Sequence, residues 1–383
     1  MDHGRSGGGR RRIVGWLTMS TKPVIPTTAD HLTAQWLNDA FDGSIAEIAG
    51  VRAEQTHSFT EALGEVTRLH LDYAPNSSGP RPATMIAKCQ AAAPGNVFMS
   101  QAMGFYERES NFYSQFSRTI NLRVPYCYYT DVDQAGAPYI VLIEEITGAR
   151  MIDQVVGAAY DDSAAILDQA VTLHSTFWDN DLLRSLDWLP PMNNPLYRAA
   201  REMAEPKLES FISTWSGTLP ERTMGWMRQL TPKYPDMVDW WVEQGKATFV
   251  HMDFRADNFL FGGSAGSGTV TVLDWQLSAR HVGMWDVANF LGQSVTIANR
   301  REWEKDLVRR YYDGLIAAGV TDYAWDRCWR DYRYCLLHQA WSQVAVSDID
   351  PGNERGRRLL HEMITRAFAA ADDNDCADLL QEF

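Results

Sequence analysis

The sequence has little basic charge, few cysteines and no long apolar run. Its 383 residues carry 35 Lys and Arg against 49 Asp and Glu, a formal net charge of −14. Phosphate contacts supply most of the affinity of nucleic-acid binders, so a chain this acidic is not built for DNA or RNA. No stretch approaches the roughly 18 consecutive apolar residues that mark a transmembrane helix. The five cysteines, at 89, 127, 328, 335 and 376, are odd in number and never in C-x-x-C spacing. That pattern opposes a disulfide framework or a zinc site and fits reduced thiols in a cytoplasm. Arg10, Arg11 and Arg12 precede a short apolar run, Ile13 to Leu17, but Lys22 and Pro23 follow at once. The run is too short for a signal peptide. Residues 1–27 read as a disordered extension, with Met19 as an alternative start.

What is present is an ordinary globular composition, 45% hydrophobic and 22% charged, which excludes disorder and coiled coil. At about 150 residues per domain the length suggests two or three compact units. The spacing of Leu32, Trp36, Leu37 and Phe41 predicts a helix over 28–49. Alternation around Val66, Leu69 and Leu71 predicts a hairpin closing near Gly64. Ala83 to Cys89 reads as a buried strand with Lys88 near its end. A helix is expected over 97–118, and a strand from Pro138 to Ile143 leads into Glu144 and Glu145. From 147 onward helices dominate, at 161–178, 194–245 and 284–380, interrupted by short strands at 247–277. The plan is an α+β chain with a β-rich lobe over 28–146 and a mainly helical lobe over 147–383.

The strongest chemical signal is His251-Met252-Asp253-Phe254-Arg255-Ala256-Asp257-Asn258, followed by Val272-Leu273-Asp274-Trp275. Phosphoryl transfer needs a carboxylate to accept a hydroxyl proton and oxygen ligands to hold Mg²⁺ against phosphates. An Asp with an Asn five residues on places both functions on one loop, and a second Asp at the end of an apolar strand supplies another ligand. Each piece alone is weak; their joint spacing is specific.

These segments resemble the catalytic and metal-binding loops of the aminoglycoside phosphotransferase and choline kinase superfamily, relatives of the protein kinases. The resemblance runs over roughly residues 30–370 and implies a protein-kinase-like two-lobe fold with ATP and Mg²⁺ as cofactors. It implies Asp253 as the base, Asn258 and Asp274 as metal ligands, Lys88 as the phosphate-binding lysine and Glu109 as its helix partner, with Glu107 as competitor. One departure is Met252, where the family usually has glycine. His251 is expected to support the loop, Arg255 to be an exposed arginine or a phosphate contact, and Asp286 to brace the loop from a helix N-terminus. His174 reads as a structural helix residue.

The hinge strand should offer backbone groups to adenine, at Glu144 and Ile146. The glycine loop is degenerate, Gly64 standing alone, so Ser58 and Thr60 are the candidate phosphate contacts. Leu173 to Trp178 and Val124 to Tyr129 resemble the ecdysteroid-kinase-like branch. The acceptor is then a hydroxylated small molecule: a bulky apolar alcohol by that branch, or an aminoglycoside polycation by the other. Trp188, Trp215, Trp226, Trp240 and Trp241 are either lining for such a pocket or ordinary core. Two further readings stay open, a nucleotide-binding pseudokinase and a metal-dependent hydrolase using the His-x-Asp cluster.

Overall fold

The computed structural model describes residues 22–56, 63–348 and 353–383. Helix α1 (Ala34–Phe41) is capped by Thr33, whose Oγ1 accepts from Trp36 N at 3.1 Å. The helix expected through residue 49 ends at Phe41. Asp42 and Gly43 both take left-handed φ, 45° and 76°, and the chain turns into strand β1 (Ile48–Gln55). Of the span 1–27, residues 1–21 lie outside the described residues. Trp36 Nε1 donates to Val24 O at 2.7 Å, and Ile25 packs on the same core.

Strands β2 (Glu65–Tyr73), β3 (Thr84–Cys89), β4 (Cys127–Val132) and β5 (Tyr139–Glu144) join β1 in an antiparallel sheet of order β1-β2-β3-β5-β4. One face of it packs on α1 through Leu69, Leu71, Met85, Ala87, Ile140 and Leu142. In β2 the buried face is Thr67, Leu69 and Leu71. Val66 and Arg68 therefore project to the other side and line a cleft.

The single helix expected over 97–118 is two, α2 (Pro94–Met103) and α3 (Phe105–Gln115). They break at Gly104, whose φ of 71° ends α2 in the left-handed conformation that glycine adopts without steric cost. Helix α3 is buried on nearly every side, including Arg108, Glu109 and Ser110.

Beyond the sheet, β6 (Ala149–Met151) pairs with β8 (Phe259–Gly262), and β8 with β9 (Val270–Val272). A second pair joins β7 (Thr248–Val250) to β10 (Ala279–His281). In the β8–β9 hairpin Phe259 faces Val272, and Leu273 N donates to Asn258 O at 2.9 Å. This register brings Asn258 beside Asp274.

Helix α4 (Tyr160–Thr176) precedes an irregular helical insertion: α5 (Asp181–Arg184), α6 (Pro195–Arg198), α7 (Ala200–Ala204), α8 (Leu208–Trp215) and α9 (Glu221–Gln244). Four longer helices follow: α10 (Met284–Ser294), α11 (Ile297–Ala317), α12 (Trp325–Ala345) and α13 (Glu354–Asp373). Every residue of α10 is buried, because α4, α11, α12 and α13 enclose it. Trp188, Trp226 and Trp241 are core residues, and Trp215 and Trp240 pack against that core. All five cysteines are free and buried. Among the described residues no helix is long and apolar enough to cross a membrane.

Two histidines sit in this core as neutral bases. Burial pushes His338 down to about 3 and His281 well below its ordinary value. Below pH 6.5 the unfolded chain takes up these protons and the folded chain does not, so stability falls as pH drops. At pH 5 His338 should contribute about 2 kcal/mol of that loss. Urea midpoints at pH 7 and pH 5 should separate more for the wild type than for His338→Gln; equal separations would contradict the assignment.

Candidate active site

Lys88, Glu109 and Asp274 come from three different elements and meet at one point. Lys88 stands on β3 facing the cleft, and Glu109 on the buried side of α3. Asp274 follows β9 in a left-handed backbone, φ 62°. Lys88 Nζ lies 3.0 Å from Glu109 and 2.9 Å from Asp274. Burial opposes charge on Lys88, but Asp274 and then Glu109 outweigh it, so its pKa rises. Burial likewise opposes charge on Asp274, and Lys88 overcomes it, holding the carboxylate below its usual range. Glu109 is deeper; burial, helped by the nearby Asp274 charge, pushes it up despite Lys88. Tyr139 donates its hydroxyl to Glu109 Oε2 at 2.9 Å and fixes the carboxyl from behind. Glu107, the competing carboxylate, is exposed in the first turn of α3 and does not reach Lys88.

The loop 251–258 is held from below. Asp286, in the first turn of α10, accepts from His251 N at 2.8 Å and from Met252 N at 2.9 Å. His174 Nε2 lies 3.2 Å from the same carboxylate, and its Nδ1 lies 2.8 Å from the Tyr311 hydroxyl. Gly283 permits this approach: a Cβ there would sit 2.4 Å from the Tyr311 oxygen and 2.6 Å from His174 Nδ1. His251 spends both ring nitrogens on the backbone, Nε2 toward Leu273 O (2.7 Å) and Nδ1 toward Asp253 N (3.3 Å). It has no nitrogen left to act as a base. Met252 occupies the position read as a departure from glycine, and its φ is 73°. The loop keeps a glycine-like backbone with a side chain on it, a conformation of order 1–3 kcal/mol above the common ones. The two Asp286 hydrogen bonds at this turn offset it.

Asp253 and Asn258 are bonded to each other: Asn258 Nδ2 donates to Asp253 O at 2.7 Å and to Oδ2 at 3.0 Å. That leaves the Asn258 amide oxygen available. Arg255 is not the exposed loop arginine expected. It is nearly buried, its Nε lying 2.9 and 3.0 Å from the two Asp253 oxygens and its Nη1 3.3 Å from Asp257. Asp257 in turn lies 3.9 Å from Arg355 at the start of α13, and Arg355 lies 3.2 Å from Asp153.

A cleft of about 440 Å³ connects these groups to the hinge. Val66, Ile86, Ile143, Leu260 and Leu273 supply two apolar walls, and Lys88, Asn258, Asp274, Arg255 and Arg355 the polar end. The size suits a small organic ligand. At the hinge, Glu144 N donates to Tyr126 O at 2.8 Å, and its carboxylate is held by Arg123 at 2.6 Å. Its amide is therefore committed, and only its carbonyl can meet a ligand. Ile146 lines the cleft, and neither its N–H nor its carbonyl has a backbone partner among the described residues. Ser58 and Thr60 lie outside the described residues.

The donor set suits Mg²⁺. Asn258 and Asp274 both line the cleft and offer hard oxygens. Among the described residues no group of three or more His, Cys, Asp or Glu could hold a metal by itself; Asn258 and Asp274 would hold Mg²⁺ together with water or phosphate oxygens, as such sites commonly do. His281, the extra histidine of the hydrolase reading, is enclosed by the rings of Trp241 and Trp285 and belongs to the core.

Tyr139, Arg108, Asp257 and Arg355 were not singled out from sequence. Asp257 lies within the quoted loop, so its spacing was a usable signal; Tyr139 and Arg355 meet partners far along the chain, and so does Arg108 apart from its local bond to Met103 O.

A family model described as "Phosphotransferase enzyme family" matches residues 100–329, more than half of the chain. The chain belongs to this family; it is a kinase. Among solved structures, an ethanolamine kinase of Plasmodium vivax superposes with a TM-score of 0.51 at 9% identity, covering 86% of this chain and 85% of that one. A choline kinase of Streptococcus pneumoniae gives 0.46 at 14% identity, covering 87% and 98%. The family match and the superposition on the ethanolamine kinase give the α+β, two-lobe protein-kinase-like fold. No protein of curated function matches the sequence.

Asp286→Asn puts a donor where two backbone amides already point. It should cost about 1–3 kcal/mol in urea unfolding. An unchanged midpoint would show that the loop does not depend on this carboxylate.

Proposed function

We propose that this chain transfers the γ-phosphoryl group of ATP to a hydroxyl of a small molecule. The observation that carries the reading is the convergence of Lys88, Glu109 and Asp274 within 3.1 Å beside the bonded pair Asp253–Asn258. Lys88, kept charged by its two carboxylates, would hold the nucleotide phosphates. Adenine would lie between the apolar walls, meeting the Glu144 carbonyl and the Ile146 backbone. Ser58 and Thr60 remain candidates for the phosphate loop. Asn258 and Asp274 would hold Mg²⁺, which when bound neutralises charge on the phosphate oxygens.

Asp253 would take the proton of the acceptor hydroxyl as the bond to phosphorus forms. In the present arrangement Arg255 engages both Asp253 oxygens, so the acceptor hydroxyl must share that carboxylate with it. The lobes assigned to this division of labour are residues 28–146 and 147–383.

The acceptor is a hydroxylated small molecule. The tryptophans that would line an apolar pocket belong to or pack against the core, so the ecdysteroid-like, apolar-alcohol reading rests on motif resemblance alone. The five buried free thiols fit a cytoplasmic enzyme.

Thermal-shift titration with Mg·ATP tests the site. A hundredfold excess over Kd should stabilise the wild type by roughly 2.7 kcal/mol. Asp274→Asn should weaken that shift. Asp253→Asn should keep it while lowering phosphoryl transfer to a panel of hydroxylated compounds by about 10²–10⁴-fold. A wild type that ignores Mg·ATP at millimolar concentration would sink the kinase reading. Binding without transfer to any acceptor, and without slow ATP hydrolysis, would point to a pseudokinase.

A further inference from the structure

Three successive residues of α3 reach three different parts of the molecule. Ser110 Oγ accepts from Thr130 on β4 at 3.0 Å, Glu109 meets Lys88, and Arg108 points toward the helical lobe. Arg108 is 4% exposed. Its Nη1 donates to the Tyr197 hydroxyl of α6 at 2.7 Å and to Leu277 O at 3.3 Å, and its Nη2 donates to Met103 O at 2.6 Å. The guanidinium also lies over the rings of Phe105 (5.7 Å) and Tyr197 (5.6 Å).

Among the described residues no carboxylate forms an ion pair with it. A buried cation without a counter-ion is expensive unless neutral acceptors are well placed around it. Met103 is the last residue of α2, so its carbonyl sits at the negative end of that helix dipole and partly takes the counter-ion's place.

The other two acceptors belong to segments with functional positions. Leu277 lies three residues beyond Asp274. Tyr197 belongs to the insertion, which Arg280 N ties to the same segment by donating to Pro190 O at 2.9 Å. Arg108 thus bridges the insertion, the Asp274 segment and α3, one residue from the carboxylate that orients Lys88.

We propose that Arg108 is a positioning residue: anchored on Tyr197 and Leu277, it sets α3 so that Glu109 holds Lys88 where the nucleotide phosphates bind. Because the anchor is in the insertion, a change in the insertion is felt at Lys88. The inference rests on the kinase reading of the cleft.

The test is calorimetric titration of the full chain with Mg·ATP. Arg108→Gln should weaken binding about tenfold, within the range of coupling energies measured for residues in one network. Tyr197→Phe keeps the ring and removes one acceptor; it should weaken binding about threefold with little change in melting temperature. The decisive comparison is a double-mutant cycle. In a Glu109→Gln background neither substitution should change affinity by more than about twofold, because the carboxylate through which they act is gone. A general loosening of the fold would instead add to the Glu109→Gln loss. If Arg108→Gln does not fold, the Tyr197→Phe arm of the cycle decides alone. Wild-type affinity in Tyr197→Phe, or full additivity with Glu109→Gln, overturns the proposal. A wild type that shows no Mg²⁺-dependent ATP binding overturns the kinase reading instead, so the two failures are told apart.

Discussion

One ammonium group ties the two lobes together at the cleft. Lys88 rises from the sheet, Glu109 comes from the helix behind it, and Asp274 belongs to the helical lobe. Lys88 and Glu109 are buried and Asp274 nearly so, so the ammonium is poorly solvated without its partners. Removing Lys88 would leave two carboxylates facing each other without a cation in a low-dielectric site, a situation worth several kcal/mol. The sheet, the pose of α3 and the β8–β9 hairpin each fix one corner of this triangle, and their exactness matters more here than anywhere else in the chain.

The surrounding structure supplies rigidity in two layers. Behind Glu109, Tyr139 stacks on Tyr106 with ring centroids 4.2 Å apart and donates its hydroxyl to the carboxyl. Behind Asp274, Trp275 stacks on Phe112 of α3 at 3.7 Å, and the tilted ring of His251 lies 4.8 Å from it. The same helix therefore positions the carboxylate that meets Lys88 and the residue next to the second one. Below the loop, Asp286 gathers two backbone amides and a histidine, so the fully buried α10 serves as the floor on which the reactive segment rests.

The site was legible where its chemistry is local. Asp253, Asn258 and Asp274 stand on one loop and one hairpin, and the apolar run before Asp274 marks the strand β9 that leads to it. Lys88 and Glu109 came through resemblance, since a lysine on a strand and an acid on a helix carry no mark of their meeting. The end of α1 at Asp42-Gly43 and the break at Gly104 were both announced by glycine, yet the surrounding helical periodicity outweighed that signal in the reading. Arg255 departs from expectation for a different reason. It is held by ion pairs to Asp253 and Asp257, and Asp257 is met in turn by Arg355, a hundred residues later. The tryptophans of the insertion took the core role of the two weighed for them, because long helices without regular periodicity still need large apolar contacts to pack.

The five cysteines have a consequence for handling the protein. Burial pushes Cys89 and Cys127 up to about 12 and raises the other three as well. Thiolate, the nucleophilic form, is scarce at neutral pH for every one of them. Alkylating reagents can therefore reach these sulfurs only when the chain opens. Cys89 and Cys127 lie in the sheet, while Cys328, Cys335 and Cys376 lie among the last helices. The rate at which each is modified becomes a separate clock for the opening of its own lobe, with no probe added to the molecule.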